Sequence, residues 1–155
     1  MRILAVCAGN ICRSPAAEAA ILEAAAGTGV DIETDSAGTG AWHIGQPPHP
    51  DCVAAGARVG LDVRGRARKV TPADFERFDI ILAMDRANLR DLHAMAPTRE
   101  ARARTRLFRT YDTTATSDEV PDPWGGPEEG YDETVRIVRA AAAGLVAEIL
   151  EHTGA

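Results

Sequence analysis

Short unbroken apolar runs alternate along this chain with longer stretches rich in helix formers. Residues Arg2–Val6 make the first run, bounded by a turn, which suits a strand buried on both faces. Ser14 then reads as an N-cap with Pro15 at the first helical position. The alanine-rich stretch that follows extends the helix until Gly27 ends it. Ile32–Ser36 is a second strand, and Ala37–Pro50, full of Gly and Pro, is a loop. Asp51–Val59 reads as a helix closed by Gly60. Thr71-Pro72-Ala73-Asp74 resembles a capping box opening a short helix. Phe78–Ala83 is a third strand, Asp85 or Arg86 to Met95 a helix stopped before Pro97, and Arg106–Phe108 a fourth strand. Tyr111–Gly130 is a long loop, and Tyr131 to about Glu151 a closing amphipathic helix. The alternation predicts an α/β fold, a parallel sheet with helices on both faces, and the length predicts one domain over residues 1–155. Ligands of such folds bind beyond the carboxyl ends of the strands, and Cys7 follows directly on the first strand.

Composition narrows the function classes. A net charge of −6 argues against general binding to nucleic acid or an anionic membrane. No apolar run approaches the ~20 residues of a membrane span. Ile3–Ala8 is shorter than the roughly 7–15-residue core of a signal peptide, and no cleavage site follows it. A cytoplasmic monomer is the expectation. Three cysteines, an odd count, fit catalysis or buried thiols better than a disulfide framework.

The chemistry concentrates in Cys-Ala-Gly-Asn-Ile-Cys-Arg-Ser-Pro, Cys7 to Pro15. Cys7 stands six residues before Arg13, and a loop of that length can curl its backbone N–H groups inward as an anion nest. Gly9 and Asn10 tolerate the left-handed conformations such a curl needs. The helix that follows adds its positive end, and Arg13 adds a planar fork that matches two oxygens of a phosphate. The same features favour the thiolate of a cysteine at that point. The loop therefore prepares a nucleophile and an oxyanion clamp around one centre.

The nine-residue stretch resembles the signature loop of the low-molecular-weight protein tyrosine phosphatases. The likeness continues in family order through Asp-Ser-Ala-Gly-Thr at Asp35–Thr39, Ile81–Leu92 and Asp-Pro-Trp at Asp122–Trp124. It implies a four-stranded parallel sheet flanked by helices, no metal and no organic cofactor, and phosphorylated proteins or peptides as substrates. Cys7 is the implied nucleophile and Arg13 the phosphate clamp. Ala8, Gly9, Asn10, Ile11, Cys12 and Ser14 line the phosphate loop, Ser14 also donating to the sulfur and Asn10 mainly holding the loop's shape. Phenolate is a poor leaving group, because phenol has a pKa of ~10, so a proton donor is needed. Asp122, stiffened between Pro121 and Pro123 on the long loop, matches the family's acid. The family uses the equivalent of Cys12 to trap an oxidised nucleophile as a reversible disulfide.

Trp42 and Trp124 are the only tryptophans, and both fall in loops expected at the site's edge. There they would wall a slot deep enough for phosphotyrosine. Many relatives carry a second tyrosine after the acid loop's aromatic, where this chain has Gly125-Gly126. A bacterial arginine-phosphatase branch carries a threonine where Ile11 stands. Ile11 therefore points to phosphotyrosine, with phosphoarginine as the alternative. A thiol-dependent arsenate reductase would need further cysteines; the helix Arg86–Met95 has none, and Cys52 alone reads as a lone distant thiol, a poor relay. A phosphopeptide-binding module would need neither a nucleophile nor an acid. His43, His49 and Cys52 lack a fourth ligand and zinc spacing, so Cys52 is expected to be a buried helix residue. The five arginines of Arg99–Arg109 read as a solvated surface, and Asp85 as structural.

Overall fold

All four strands run parallel in the order β2-β1-β3-β4. They are β1 (Arg2–Cys7), β2 (Glu33–Gly38), β3 (Ile80–Ala83) and β4 (Thr105–Leu107). The computed structural model describes residues 1–153. Helices α1 (Arg13–Ala25), α2 (Pro50–Arg58), α3 (Asp74–Arg77), α4 (Arg86–Met95), α5 (Arg99–Ala103) and α6 (Glu128–Thr153) carry the chain between and beyond the strands. A turn of 3-10 helix, Phe108–Tyr111, follows β4. Because β1 is flanked by β2 on one side and β3 on the other, the chain reverses direction across the sheet at β1. That reversal opens a crevice at the carboxyl end of β1.

The apolar run of β1 is buried on both faces. Ile3, Ala5 and Cys7 join a core with α1, α2 and α6 through Ala16, Ile21, Ala55, Val138 and Leu145. Leu4 and Val6 join the opposite core with Phe75, Leu92 and Ala101, from α3, α4 and α5. A strand with two buried faces has no reason to alternate with polar residues, which is why it reads as a continuous run.

Several element ends differ from the sequence expectation. Helix α1 begins at Arg13, and Cys12 occupies its N-cap position without a capping side-chain bond. Ser14 is therefore not the cap; it lies inside the first turn with its hydroxyl 3.0 Å from the Cys7 sulfur. Strand β2 runs on to Gly38, paired with Cys7 and bridged to Lys69. Strand β3 starts at Ile80, because the Phe78 N–H is still bonded to the carbonyl of Asp74. Strand β4 spans Thr105–Leu107, and Phe108 already belongs to the 3-10 turn. Helix α6 starts three residues early, just after Pro127, with Glu128 and Glu129 at its positive end. The short α5 had no predicted counterpart; Thr98 caps it by accepting from the Ala101 N–H at 3.0 Å. In the Thr71–Asp74 stretch only half of a capping box forms. The Asp74 carboxylate accepts from the Thr71 N–H at 2.8 Å, and the Thr71 hydroxyl donates to that carboxylate instead of capping.

One glycine of α6 is demanded by packing. A Cβ on Gly144 would stand 2.0 Å from the Tyr111 carbonyl oxygen. In an unconstrained helix, replacing Gly by Ala stabilises by about 0.8–1.0 kcal/mol. Here Gly144→Ala is expected to destabilise by about 1–3 kcal/mol, because a backbone carbonyl must move. Urea unfolding of the two proteins measures the sign.

Candidate active site

The loop from Ala8 to Cys12 joins β1 to α1 at the crevice. Its carbonyls are pinned from outside. Cys7 O accepts from the Thr39 N–H at 2.9 Å, Ala8 O from Gly40 at 3.0 Å and Ile11 O from His49 at 2.7 Å. A planar peptide unit sets its C=O and N–H in opposite directions. Pinning these carbonyls therefore turns the N–H groups of Ala8, Gly9 and Cys12 the other way, toward the cleft these residues line. The approach is close. A Cβ on Gly38 would lie 2.7 Å from Ala8 O, so β2 must end in glycine here.

Asn10 holds the curl. It is the only non-glycine residue with positive φ among the described residues, at +57°, a conformation asparagine tolerates. Its side chain is 98% buried and fully bonded. Nδ2 donates to Ser14 Oγ at 2.8 Å and to Ser36 Oγ at 3.0 Å, and Oδ1 accepts from the Arg68 N–H at 2.9 Å. Its own N–H donates to Cys7 Sγ at 3.3 Å. Ser14 Oγ accepts from Asn10, and its own hydrogen has two acceptors in reach, the Cys7 sulfur at 3.0 Å and the Ala37 carbonyl at 3.5 Å. Ser14 is completely buried behind Cys7 and does not line the cleft.

Arg13 is almost completely buried beside this loop. Its Nη1 donates to Asp85 Oδ2 at 2.6 Å and to the Val120 carbonyl at 3.0 Å, while Nη2 lies 3.7 Å from Asp122 Oδ2. Burial opposes its charge, but Cys7, Asp85 and Asp122 outweigh burial and hold the guanidinium above its ordinary range. Asp85 is itself fixed as the N-cap of α4, accepting from the Asn88 N–H at 2.8 Å. It is structural in the sense that it aims the guanidinium.

A cleft of about 390 Å³ gathers Cys7, Ala8, Gly9, Asn10, Ile11, Cys12, Arg13, Trp42, Asp122 and Trp124. Every predicted site residue except Ser14 lines it. Trp42 and Trp124 stand 71% and 63% exposed at its mouth. The Trp42 ring lies so close over Gly40 that a Cβ there would be 1.9 Å away. Asp122 is half-exposed, and the Trp124 N–H donates to its Oδ1 at 3.2 Å. His43 also lines the cleft, packed over Gly9 and bonded through Nδ1 to Gln46 Oε1 at 3.0 Å. Sequence reasoning weighed His43 only as a metal ligand; its place beside Trp42 was the available signal.

Cys52 is a buried helix residue, as expected, but it is not distant from the loop. It lies in the first turn of α2, and its thiol donates to the Cys12 carbonyl at 3.5 Å. Hydrogen bonding with Cys52, then burial, push the Cys12 thiol up. Among the described residues no group of three His, Cys, Asp or Glu side chains is placed to hold a metal ion. No described helix is long and apolar enough to cross a membrane.

The model of the low molecular weight phosphotyrosine protein phosphatase family matches residues 2–154. This chain belongs to that family. A low molecular weight protein-tyrosine-phosphatase of Streptomyces coelicolor is 41% identical, over 97% of this chain and 94% of its own. The crystal structure of an Entamoeba histolytica protein tyrosine phosphatase superposes with a TM-score of 0.94 at 34% identity, over 99% of both chains. A Drosophila arginine phosphatase superposes with a TM-score of 0.89 at 27% identity, over 96% of this chain and 98% of that one.

Behind the phosphatase loop sits a second layer. The guanidinium of Arg68, whose N–H holds Asn10, bonds Asp74 at 2.9 and 3.0 Å and Asp35 at 3.1 and 3.0 Å. The Asp74 side chain is 1% exposed. Burial works to raise its pKa, yet Arg68 and Thr71 outweigh burial and hold it below its ordinary 3.8. A depressed carboxylate stabilises the fold above its unfolded value and loses that contribution as pH falls through the folded one. Asp74→Ala should cost about 1–3 kcal/mol, since Arg68 and Thr71 lose a buried acceptor while Arg68 keeps Asp35 and part of its hydration. It should also flatten the stability loss of the wild type below the ordinary carboxylate range. Denaturant melts from neutral to acid pH measure both.

Proposed function

We propose that this phosphatase hydrolyses phosphotyrosine in proteins through a phosphocysteine intermediate. The observation that carries the reading is the convergence of the Cys7 sulfur, the Arg13 guanidinium and the Asp122 carboxylate on a cleft walled by two exposed tryptophans. The phenyl ring enters between Trp42 and Trp124, which give it apolar faces. The phosphate reaches the loop, where the inward N–H groups and Arg13 bind its equatorial oxygens. Cys7 attacks phosphorus as the thiolate, and Asp122 gives its proton to the phenolic oxygen as the P–O bond breaks. Asp122, now a carboxylate, takes a proton from water, which attacks the phosphocysteine and releases phosphate. The sulfur leaves as an anion into the hydrogen bonds of the Asn10 N–H and the Ser14 hydroxyl.

Each role uses a feature of the geometry. Arg13 is anchored along one edge by Asp85 and Val120, so its orientation precedes substrate. Asp122 stands on a loop between two prolines, half in solvent, where it can meet both the leaving oxygen and the incoming water. The protonation steps and the phosphorus chemistry draw on these side chains alone, so a metal chelator should leave the rate unchanged.

Cys7→Ser is expected to abolish turnover of an aryl phosphate. Asp122→Asn should lower kcat for phosphotyrosine by about 10²–10⁴-fold. It should slow a phosphate ester of an acidic phenol much less, because that leaving group departs unprotonated. Equal losses on both substrates would remove Asp122 from the acid role. Steady-state kinetics on the two esters make the comparison.

Phosphoarginine is the alternative substrate, favoured by the likeness to the Drosophila arginine phosphatase. Ile11, an apolar residue in the cleft floor, supports phosphotyrosine, since it offers no hydroxyl to a phosphoramidate. Phosphotyrosine peptide should be cleaved with the higher kcat/KM, and a reversed ranking would transfer the assignment to phosphoarginine. Ile11→Thr is expected to narrow the gap.

A further inference from the structure

The catalytic cycle leaves one buried nucleophile unused. Cys52 is completely buried, and it lies in one apolar core cluster with Cys7 and Cys12. All three are free thiols. Cys52 Sγ lies 3.5 Å from the backbone oxygen of Cys12, to which it donates. Cys7 and Cys12 share the walls of the cleft. Cys7 and Cys12 thus stand at the cleft wall, and Cys52 lies behind Cys12.

We propose that Cys52 is the terminal thiol of an oxidation relay, which moves a disulfide off the catalytic sulfur and into the core as Cys12–Cys52. This rests on the reading of Cys7 as the ionised nucleophile. The oxidant is a hydroperoxide such as hydrogen peroxide. Cys7 thiolate attacks one peroxide oxygen; the O–O bond breaks, hydroxide leaves and takes a proton, and Cys7 becomes a sulfenic acid. Cys12 attacks the Cys7 sulfur; an S–S bond forms, the S–O bond breaks, and water departs with the Cys12 proton. Cys52 then attacks the Cys12 sulfur. The Cys12–Cys52 bond forms, the Cys7–Cys12 bond breaks with its electron pair on Cys7, and the Cys52 proton passes to water. In sum the peroxide is reduced to water and one pair of thiols is oxidised.

Three features give the last step its direction. Thiol–disulfide exchange is fastest when the departing sulfur is the better stabilised anion. Cys7 departs into the Asn10 N–H at 3.3 Å and the Ser14 hydroxyl at 3.0 Å, with Arg13 beside it. Cys52 sits in the first turn of α2 with its sulfur 3.5 Å from the Cys12 carbonyl, so the attacking group is already beside its target. The product is a neutral disulfide in an apolar core, which suits that environment better than a charged sulfur does. The outcome is an enzyme that carries the oxidation yet keeps its nucleophile free.

The test is a single-equivalent treatment with hydrogen peroxide, thiol alkylation at intervals, and peptide mapping of disulfides by mass spectrometry. Activity on an aryl phosphate is followed in parallel without added reductant. Wild type should first show Cys7–Cys12, then Cys12–Cys52 with Cys7 alkylated, and its activity should return along the same time course. Cys52→Ala should match wild type before peroxide, then stop at Cys7–Cys12 and recover at least about tenfold more slowly. Cys7→Ser should form Cys12–Cys52 at least tenfold more slowly than wild type, since the buried pair then has no entry point. The proposal is overturned if wild type stops at Cys7–Cys12, or if Cys7→Ser forms the inner disulfide at the wild-type rate. The mapping does not depend on turnover, so failure of the phosphatase reading shows separately, as activity surviving in Cys7→Ser.

Discussion

The site depends on a constraint that acts outside it: the carbonyls of the Cys7–Cys12 loop are held away from the cleft by their neighbours. Thr39 and Gly40, just past β2, bond the first two, and His49, at the cap of α2, bonds the carbonyl of Ile11. Peptide planarity does the rest. The amides need not be aimed individually, because fixing one end of each peptide unit aims the other. A nest built this way is preorganised before any anion arrives, which is the condition for electrostatic stabilisation of a transition state. Asn10 closes the same construction from within. It accepts a left-handed backbone and returns its side chain to Ser14, Ser36 and Arg68.

Burying Arg13 follows from this arrangement. A guanidinium at 3% exposure carries a large desolvation cost. Asp85 and the Val120 carbonyl offset part of it along one edge of the fork, and the Cys7 sulfur and Asp122 lie close enough to offset more. The buried pair need not stabilise the fold over an apolar substitute to be useful, because its role is orientation. Asp85 can hold that orientation because it is itself anchored at the start of α4.

The fold was legible because its strands are buried on both faces, so continuous apolar runs mark them, and because Pro and Gly punctuate the helices. The loop was legible because the residues to which the proposed mechanism gives the roles of nucleophile, nest and clamp are contiguous, within seven positions. What escaped depends on contacts distant in the chain. Ser14 looks like a cap by local rules, but its hydroxyl lies 3.0 Å from the Cys7 sulfur and accepts from Asn10, and the cap stands two residues earlier, at Cys12. The hold of Asp85 on Arg13 spans 72 residues. That of Arg68 on Asn10 spans 58. Cys52 reads as remote from the loop at a separation of 40, yet α2 returns it to Cys12. No local pattern carries such pairings, since they are fixed only when the sheet and its covering helices pack.

The same geometry explains why a phosphatase loop and a thiol chain coincide. Whatever stabilises an anionic sulfur for attack on phosphorus also stabilises it as a target for peroxide and as a leaving group from a disulfide. On the proposed mechanism, reactivity toward substrate therefore cannot be separated from vulnerability at Cys7. It can only be answered by where the next sulfur lies. Cys12 opens α1 from the loop itself, so it shares the cleft with Cys7 while its other side faces the core. Cys52 meets that inner side from the first turn of α2, the helix whose cap residue also pins the Ile11 carbonyl. Two neighbouring bonds between the start of α2 and the loop thus shape the anion nest and set a third thiol behind it. A substitution that shifts the start of α2 would disturb both at once.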